Sequence, residues 1–367
     1  MAKSTATRAA ARIRQLSCFG LSREAVIPEL LRELHALIPS FSNTFFFADK
    51  MGVVDNVYFE TPEMFTLFPF YRQEFHERRE RELKGLAFSE ASQTQFGVHD
   101  RRTAVTVDEK TFHRSDFHNL IVRPSGYSSN FLRLYFRDGG RVLGGLTMWR
   151  SNSTIDWTLE DKLRLASLES FFVHALTAPG ASEAPLVDSG ETGLIIADTA
   201  GKPIYLSAEG RRLLFLATNP RSVSGALVGQ PAVLPKPVAQ LCRNLSRVFF
   251  DDVSASAPIC HHSNVWGGFT FRAQWLDQDD PASGLIGITV SHKVPMPVRL
   301  MRSAQSLRLS RRQAEVCVLI AGGASNEAIA ERLGISRHTA KEHGRWIYNK
   351  LDVHNRTELV SKLLTAE

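Results

Sequence analysis

Residues 310–351, SRRQAEVCVLIAGGASNEAIAERLGISRHTAKEHGRWIYNKL, read as three short helices separated by two tight turns. Ser310 and Gln313 stand at capping-box spacing, where the hydroxyl takes a first-turn amide and the glutamine reaches back. Val316, Leu319 and Ile320 supply an apolar stripe. Gly322-Gly323 ends the helix, because glycine enters the left-handed region at low steric cost. Ser325 caps a second helix, which runs through Ile329 to Leu333 and closes at Gly334; Ile335 and Ser336 make the turn. A third helix is predicted from Arg337 to about Leu351, burying Ala340, Gly344, Ile347 and Leu351 at helical spacing. His338, Lys341, Glu342 and Arg345 share its opposite face. After Asn355, at capping-box spacing from Glu358, a fourth helix carries Leu359, Val360, Leu363 and Leu364, more apolar surface than a three-helix core requires.

The run Leu309-Ser-x-Arg312-x-x-Glu315-Val316, then Ser325-Asn326-x-x-Ile329-Ala330-x-x-Leu333-Gly334-Ile335-Ser336, then Thr339-x-Lys341-x-His343, Lys350-Leu351 and Arg356-Thr357-Glu358-Leu359 resembles the LuxR-type helix-turn-helix domain. The resemblance covers only the end of the chain. Gln313, Ala340 and Cys317 depart from the usual Glu, Val and Leu. The first weakens a helix-packing polar contact and the others trim core volume. In the family, the positions matching Lys341, Glu342 and Arg345 face base edges, while those matching Ser325, Ser336, His338, Thr339 and Lys350 lie near phosphates. The chemistry suits those roles: Lys and Arg donate to guanine in the major groove and Glu accepts from cytosine, whereas phosphate contacts set register. A homodimer on a two-fold operator is expected, with Leu359 and Leu363 at the contact.

Charge is distributed accordingly. From Arg299 to Glu367 there are 12 Lys/Arg against 7 Asp/Glu, most of the net +6 of the whole chain. A localised basic domain is the electrostatic footprint of a duplex-binding module.

The 367 residues exceed one usual core and imply two or three domains. No apolar run approaches a membrane span, and a soluble cytoplasmic protein without membrane contact is expected. The first fourteen residues carry Lys3, Arg8, Arg12 and Arg14 with no signal-type apolar core, and read as a flexible basic tail. Cys18, Cys242, Cys260 and Cys317 are scattered, which fits a reducing compartment rather than a disulfide or zinc framework.

Ala178–Gly190 and Lys293–Pro297 mark two boundaries, and no internal repeat is visible. Before the first, a helix from Val26 to Leu37 and strands at 44–47, 53–59, 132–136 and 142–149 are predicted, followed by a Thr158-capped helix with Leu165, Leu168, Phe172 and Leu176 on one stripe. Leu143-Gly-Gly-Leu146-Thr-Met-Trp-Arg150 with Trp157-Thr-Leu-Glu-Asp161 resembles the end of a GAF-like domain. Gly193-Leu-Ile-Ile-Ala-Asp198-Thr-Ala-Gly201-Lys-Pro-Ile-Tyr-Leu-Ser207, with strands near 265–275 and 284–292, resembles a PAS-like domain in which Ser207 replaces the common Asn and alters the helix-start contact. The expected architecture is multidomain: an α+β GAF-like module over 1–178, an α+β PAS-like module over 188–296, and an all-α four-helix LuxR-type domain over 303–367.

Catalytic patterns are missing from the sequence: it has no Gly-rich phosphate loop, nucleophile elbow or metal-hydrolase motif, so no enzyme activity, cofactor or metal is expected. Cys260-His261-His262 alternate faces on a strand, and His113 and His118 are five residues apart, a gap that does not align them on a helix. Cys242-Arg243-Asn244-Leu245 has a passing likeness to a flavin-reactive segment, but a core thiol fits better. The cluster Phe45, Phe46, Phe47, Tyr58, Phe59, Phe65, Phe68, Phe70 and Tyr71 reads first as core and second as the lining for a small apolar ligand. The expected protein is a transcription regulator acting on double-stranded DNA, with RNA polymerase among the partners such a role implies. The alternatives are a cofactor-bound light or redox sensor with a DNA-binding output, and a response regulator. No receiver-type acidic cluster supports the second. The spaced Trp, Tyr and Asp of homoserine-lactone receptors are also missing.

Overall fold

The structure, a computed structural model, describes residues 2–151, 156–178, 180, 184–218, 234–250, 257–276, 284–307 and 309–365. Strands β1 (Ser42–Ala48), β2 (Val54–Phe59), β3 (Val98–Asp100), β4 (Phe131–Asp138) and β5 (Arg141–Trp149) form an antiparallel sheet in the order β2-β1-β5-β4-β3. A second antiparallel sheet contains β6 (Leu186–Asp198), β7 (Pro203–Leu206), β8 (Ile259–Asn264), β9 (Gly267–Leu276) and β10 (Leu285–Pro295) in the order β7-β6-β10-β9-β8. Counted from its own first strand, each sheet has the same order. The amino-terminal region is thus α+β and carries one strand arrangement twice, a repeat that the sequence conceals.

Alternation along β1 divides the aromatic cluster between two cores. Phe45 and Phe47 join the core shared with the amino-terminal helices, while Phe46 packs with Phe59, Phe68 and Tyr71 under the helix Met64–Glu74 on the other face. Gly144 and Gly145 of β5 admit these rings: a Cβ would lie 2.8 Å from Phe45 at the first and 2.9 Å from Tyr135 at the second.

The expected basic tail is instead the helix Ala2–Ser17. Its Ala9, Ile13 and Leu16 recur at helical spacing and are buried in the first core, while Arg12 pairs with Glu33 of the helix Arg23–Leu34. This apolar stripe, which the charges obscured, outweighs them. Thr158 caps its helix as expected, accepting from the Asp161 amide, but the stripe is split between Leu159–Ala166 and Glu169–Thr177.

In the second sheet, Asp198 accepts the amides of Ala200 and Lys202, and Gly201 takes φ +83 to complete the turn into β7. Ser207 Oγ accepts from Leu194 N at 3.0 Å and Gly210 N at 2.9 Å, so the serine both caps the helix Ala208–Thr218 and ties it to β6. Residues 179 and 181–183 of the boundary at Ala178–Gly190 lie outside the described residues.

The helix Met296–Ser306 leads out of β10 and is walled on both sides. Val298 and Met301 belong to the core shared by the modules, while Leu300 and Ala304 belong to the core of the carboxy-terminal helices. Among the described residues no helix is long and apolar enough to cross a membrane.

Candidate DNA-binding face

Four helices follow, Arg311–Ala321, Asn326–Leu333, Arg337–Leu351 and Arg356–Thr365. Each start is set by a side chain that accepts an amide left without a helical partner. Ser310 accepts Gln313 N while Gln313 Oε1 accepts Ser310 N at 2.8 Å. Ser325 accepts Ala328 N at 3.2 Å and Ser336 accepts Thr339 N at 3.0 Å. Asn355 accepts Glu358 N at 2.9 Å, and the Glu358 carboxylate reaches back to the amide of His354. Gly334 ends the second helix at φ +60, and Gly323 follows the first at φ +99.

The third helix lies over the first two with Ala340, Gly344, Ile347 and Leu351 buried. Gly344 eases that approach, since a Cβ there would stand 3.3 Å from Ile320 Cδ1 and the tip of that side chain would have to give way slightly. Cys317 sits in the same core, and burial pushes its thiol up to about 12, the setting of an inert cysteine. Arg312 joins the elements, pairing with Glu315 at 2.9 Å and donating to the carbonyl of Leu333.

Opposite this packed side, Lys341, Glu342 and Arg345 are all exposed. So are Ser325, Ser336, His338, Thr339 and Lys350. The two serines are engaged as caps, which leaves each hydroxyl at a helix start, where free amides already favour an anion. Arg337, at the first turn, is held by Glu327 at 2.5 Å. The Glu327 carboxyl is lowered, chiefly by its own backbone amide and then by Ser325. Trp346 was not singled out from sequence. It is 45% exposed, and Lys350 Nζ stands 4.7 Å from its ring centroid, so the indole borders the charged face and orients the lysine. The signal was available: a tryptophan one residue from a buried position in a charged helix.

Leu359 and Leu363 are placed differently from the expectation. Both are fully buried in the carboxy-terminal core, with neither side chain presented to a partner. The surplus apolar surface is covered within the chain by the connecting helix, whose Leu300 and Ala304 join that core.

The remaining candidates are scattered. His113 and His118 do come together, with Nδ1 of the first 3.0 Å from Nε2 of the second, because the chain turns between the helix Glu109–Arg114 and the next turn. Among the described residues no three His, Cys, Asp or Glu side chains converge as metal ligands. Cys260, His261 and His262 lie along β8, with His261 exposed and bonded to Thr270. Cys242 is buried, and its thiol is pushed up to about 11, first by desolvation and then by Asp198.

Residues 307–363 match the family described as bacterial regulatory proteins, luxR family. The monoamine regulon transcriptional regulator of Klebsiella aerogenes is 46% identical over 54 residues, 15% of this chain and 24% of that protein. A putative HTH-type transcriptional regulator of Aeromonas salmonicida is 41% identical over 64 residues, 17% of this chain and 33% of its own length. The chain therefore spans a third or less of these curated relatives. A crystal structure of Escherichia coli SdiA is 12% identical, over 93% of this chain and 87% of that one, at a TM-score of 0.28, too low to assign a shared fold. The capped helices, the exposed charged face and the matched stretch together identify the carboxy-terminal unit as a LuxR-type helix-turn-helix domain.

Proposed function

We propose that the protein is a sequence-specific transcription regulator that binds double-stranded DNA through residues 303–367 under the control of residues 1–178 and 188–296. The supporting observation is the exposure of Lys341, Glu342 and Arg345 together on a helix whose opposite side is locked into the core. In this reading those three side chains meet base edges. Ser325, Ser336, His338, Thr339 and Lys350 meet phosphates and set the register. The protein acts as a homodimer on a two-fold site, with its dimer contact away from the buried Leu359 and Leu363. The two α+β modules, proposed as GAF-like and PAS-like, respond to a small apolar ligand or a protein partner without catalysing a reaction, and the output acts on RNA polymerase in the cytoplasm.

Lys341→Ala and Arg345→Ala test the reading in mobility-shift titrations on the operator found by genome-wide mapping. Each is expected to cost roughly 1 to 3 kcal/mol of discrimination if it makes a bidentate base contact. Unchanged preference for operator over random duplex in both variants overturns it.

A further inference from the structure

The pairing of β6 with β10 slips at one place. Ser291 pairs with Thr192 and Lys293 with Asp188, so Ser189, Gly190 and Glu191 stand opposite the single residue His292. Gly190 takes φ +81 there, its amide bonded to Asp188 Oδ1, while Glu191 N donates to Ser189 Oγ. A bulge of this kind re-aims a side chain out of the ladder. The side chain it re-aims is Glu191.

Four cationic or imidazole groups from four elements meet that carboxylate. Arg32 of the helix Arg23–Leu34 reaches Oε1 at 3.1 Å, Arg212 of the helix Ala208–Thr218 reaches Oε2 at 2.9 Å, and His292 Nδ1 lies 3.0 Å from Oε2. The fourth is Arg302 of the helix Met296–Ser306, whose Nη1 donates to Oε1 at 3.1 Å. The same guanidinium turns its other edge to Glu29 in the first module, with Nε 2.9 Å from Oε2 and Nη2 on Oε1. All three groups are largely buried. One turn along, Gln305 donates to Glu33 at 2.7 Å.

A single buried guanidinium thus spans two carboxylates that belong to different modules, and its own helix forms a wall of the DNA-binding core. We propose that Arg302 is the positioning residue through which the relative placement of the two modules is delivered to the DNA-binding helices. This inference rests on the reading that residues 1–296 govern the DNA domain. If Glu29 separates from Glu191, Arg302 must give up one of its two carboxylates unless the helix Met296–Ser306 moves with it; Glu191 would keep Arg32, Arg212 and His292, whereas Glu29, among the described residues, would keep only Arg32 at 3.7 Å. The bonded arrangement and the released one are the two states that a module-level signal shifts between.

The test uses the full-length protein and Arg302→Met, which keeps the length of the side chain and removes its charge. The comparison variant is Arg150→Met, which breaks a pair with Asp161 (3.2 Å) inside the first module, away from the connecting helix. Amide hydrogen exchange is followed over residues 296–321 and 356–365. Arg302→Met is expected to exchange on the order of 10-fold faster or more in those segments, with the core strands β4 and β5 unchanged. It should also shift operator affinity by roughly 3-fold or more while leaving the preference for operator over random duplex intact, since no base contact is removed. Arg150→Met should leave those segments protected. If Arg302→Met and Arg150→Met are indistinguishable in exchange over 296–321, the positioning role is wrong even when the wild type binds its operator. Altered exchange in a protein that does not bind DNA would instead retain the junction and remove the regulatory reading. Faster exchange with unchanged operator affinity would reduce Arg302 to a packing residue and overturn the proposal.

Discussion

Charged side chains live under opposite conditions on the helix Arg337–Leu351 and at the connecting helix Met296–Ser306. On the helix Arg337–Leu351, Lys341, Glu342 and Arg345 stand in water on the side away from the core. At the junction, Arg302, Glu29 and Glu191 are largely buried and bonded to one another. Exposed charges add little to folding and are available to a partner, whereas buried ones must be matched within the fold. The charged face of the third helix is therefore open to a partner, as the proposed function requires, and the junction is complete in the chain itself.

That contrast can be broken most severely at Glu29. Glu29→Ala leaves Arg302 with one of its three bonds, and a loss of about 3 to 5 kcal/mol in denaturant unfolding is expected for a buried pair with one partner removed. A loss below about 1 kcal/mol would mean that water already reaches the junction, and the contrast with the charged face would fail. His35 provides an intermediate case, half-buried with Nε2 2.9 Å from Glu60. The Glu60 bond is the main influence and holds the imidazole above its ordinary pKa, against the opposing effect of burial. The stabilisation is fully present below the ordinary imidazole value and is lost as pH rises through the raised one. Melting temperatures should therefore fall across that window in the wild type and stay flatter in His35→Gln; parallel profiles would remove His35 from the account. The smallest effect belongs to the exposed pair Arg337–Glu327, where Arg337→Ala should leave the denaturant midpoint essentially unchanged. A clear fall would show that the pair fixes the start of the helix Arg337–Leu351.

The carboxy-terminal domain was legible because its determinants are local. Ser310, Ser325 and Ser336 each act within three residues, Gly334 acts at its own φ, and Ala340, Gly344, Ile347 and Leu351 follow one period. What escaped depends on contacts distant in sequence. The fate of Leu359 and Leu363 was set by Leu300 and Ala304, which read as a mere connector. The helix Ala2–Ser17 was concealed by its basic residues, one of which, Arg12, pairs inward with Glu33, and its burial is decided by the helices Arg23–Leu34 and Glu169–Thr177. Glu191 carries no motif at all. Its role follows from a slip in strand register and from an arginine 111 residues away.

The connecting helix can transmit torsion. With Val298 and Met301 gripped on one side and Leu300 and Ala304 on the other, it acts as a splined shaft and not as a tether. One residue inserted between Arg302 and Leu307 would turn everything beyond it by about 100° and advance it by about 1.5 Å, while a whole-turn insertion would nearly restore the phase. The orientation of the DNA reader is thus written in the length of eleven helical residues as well as in their identity.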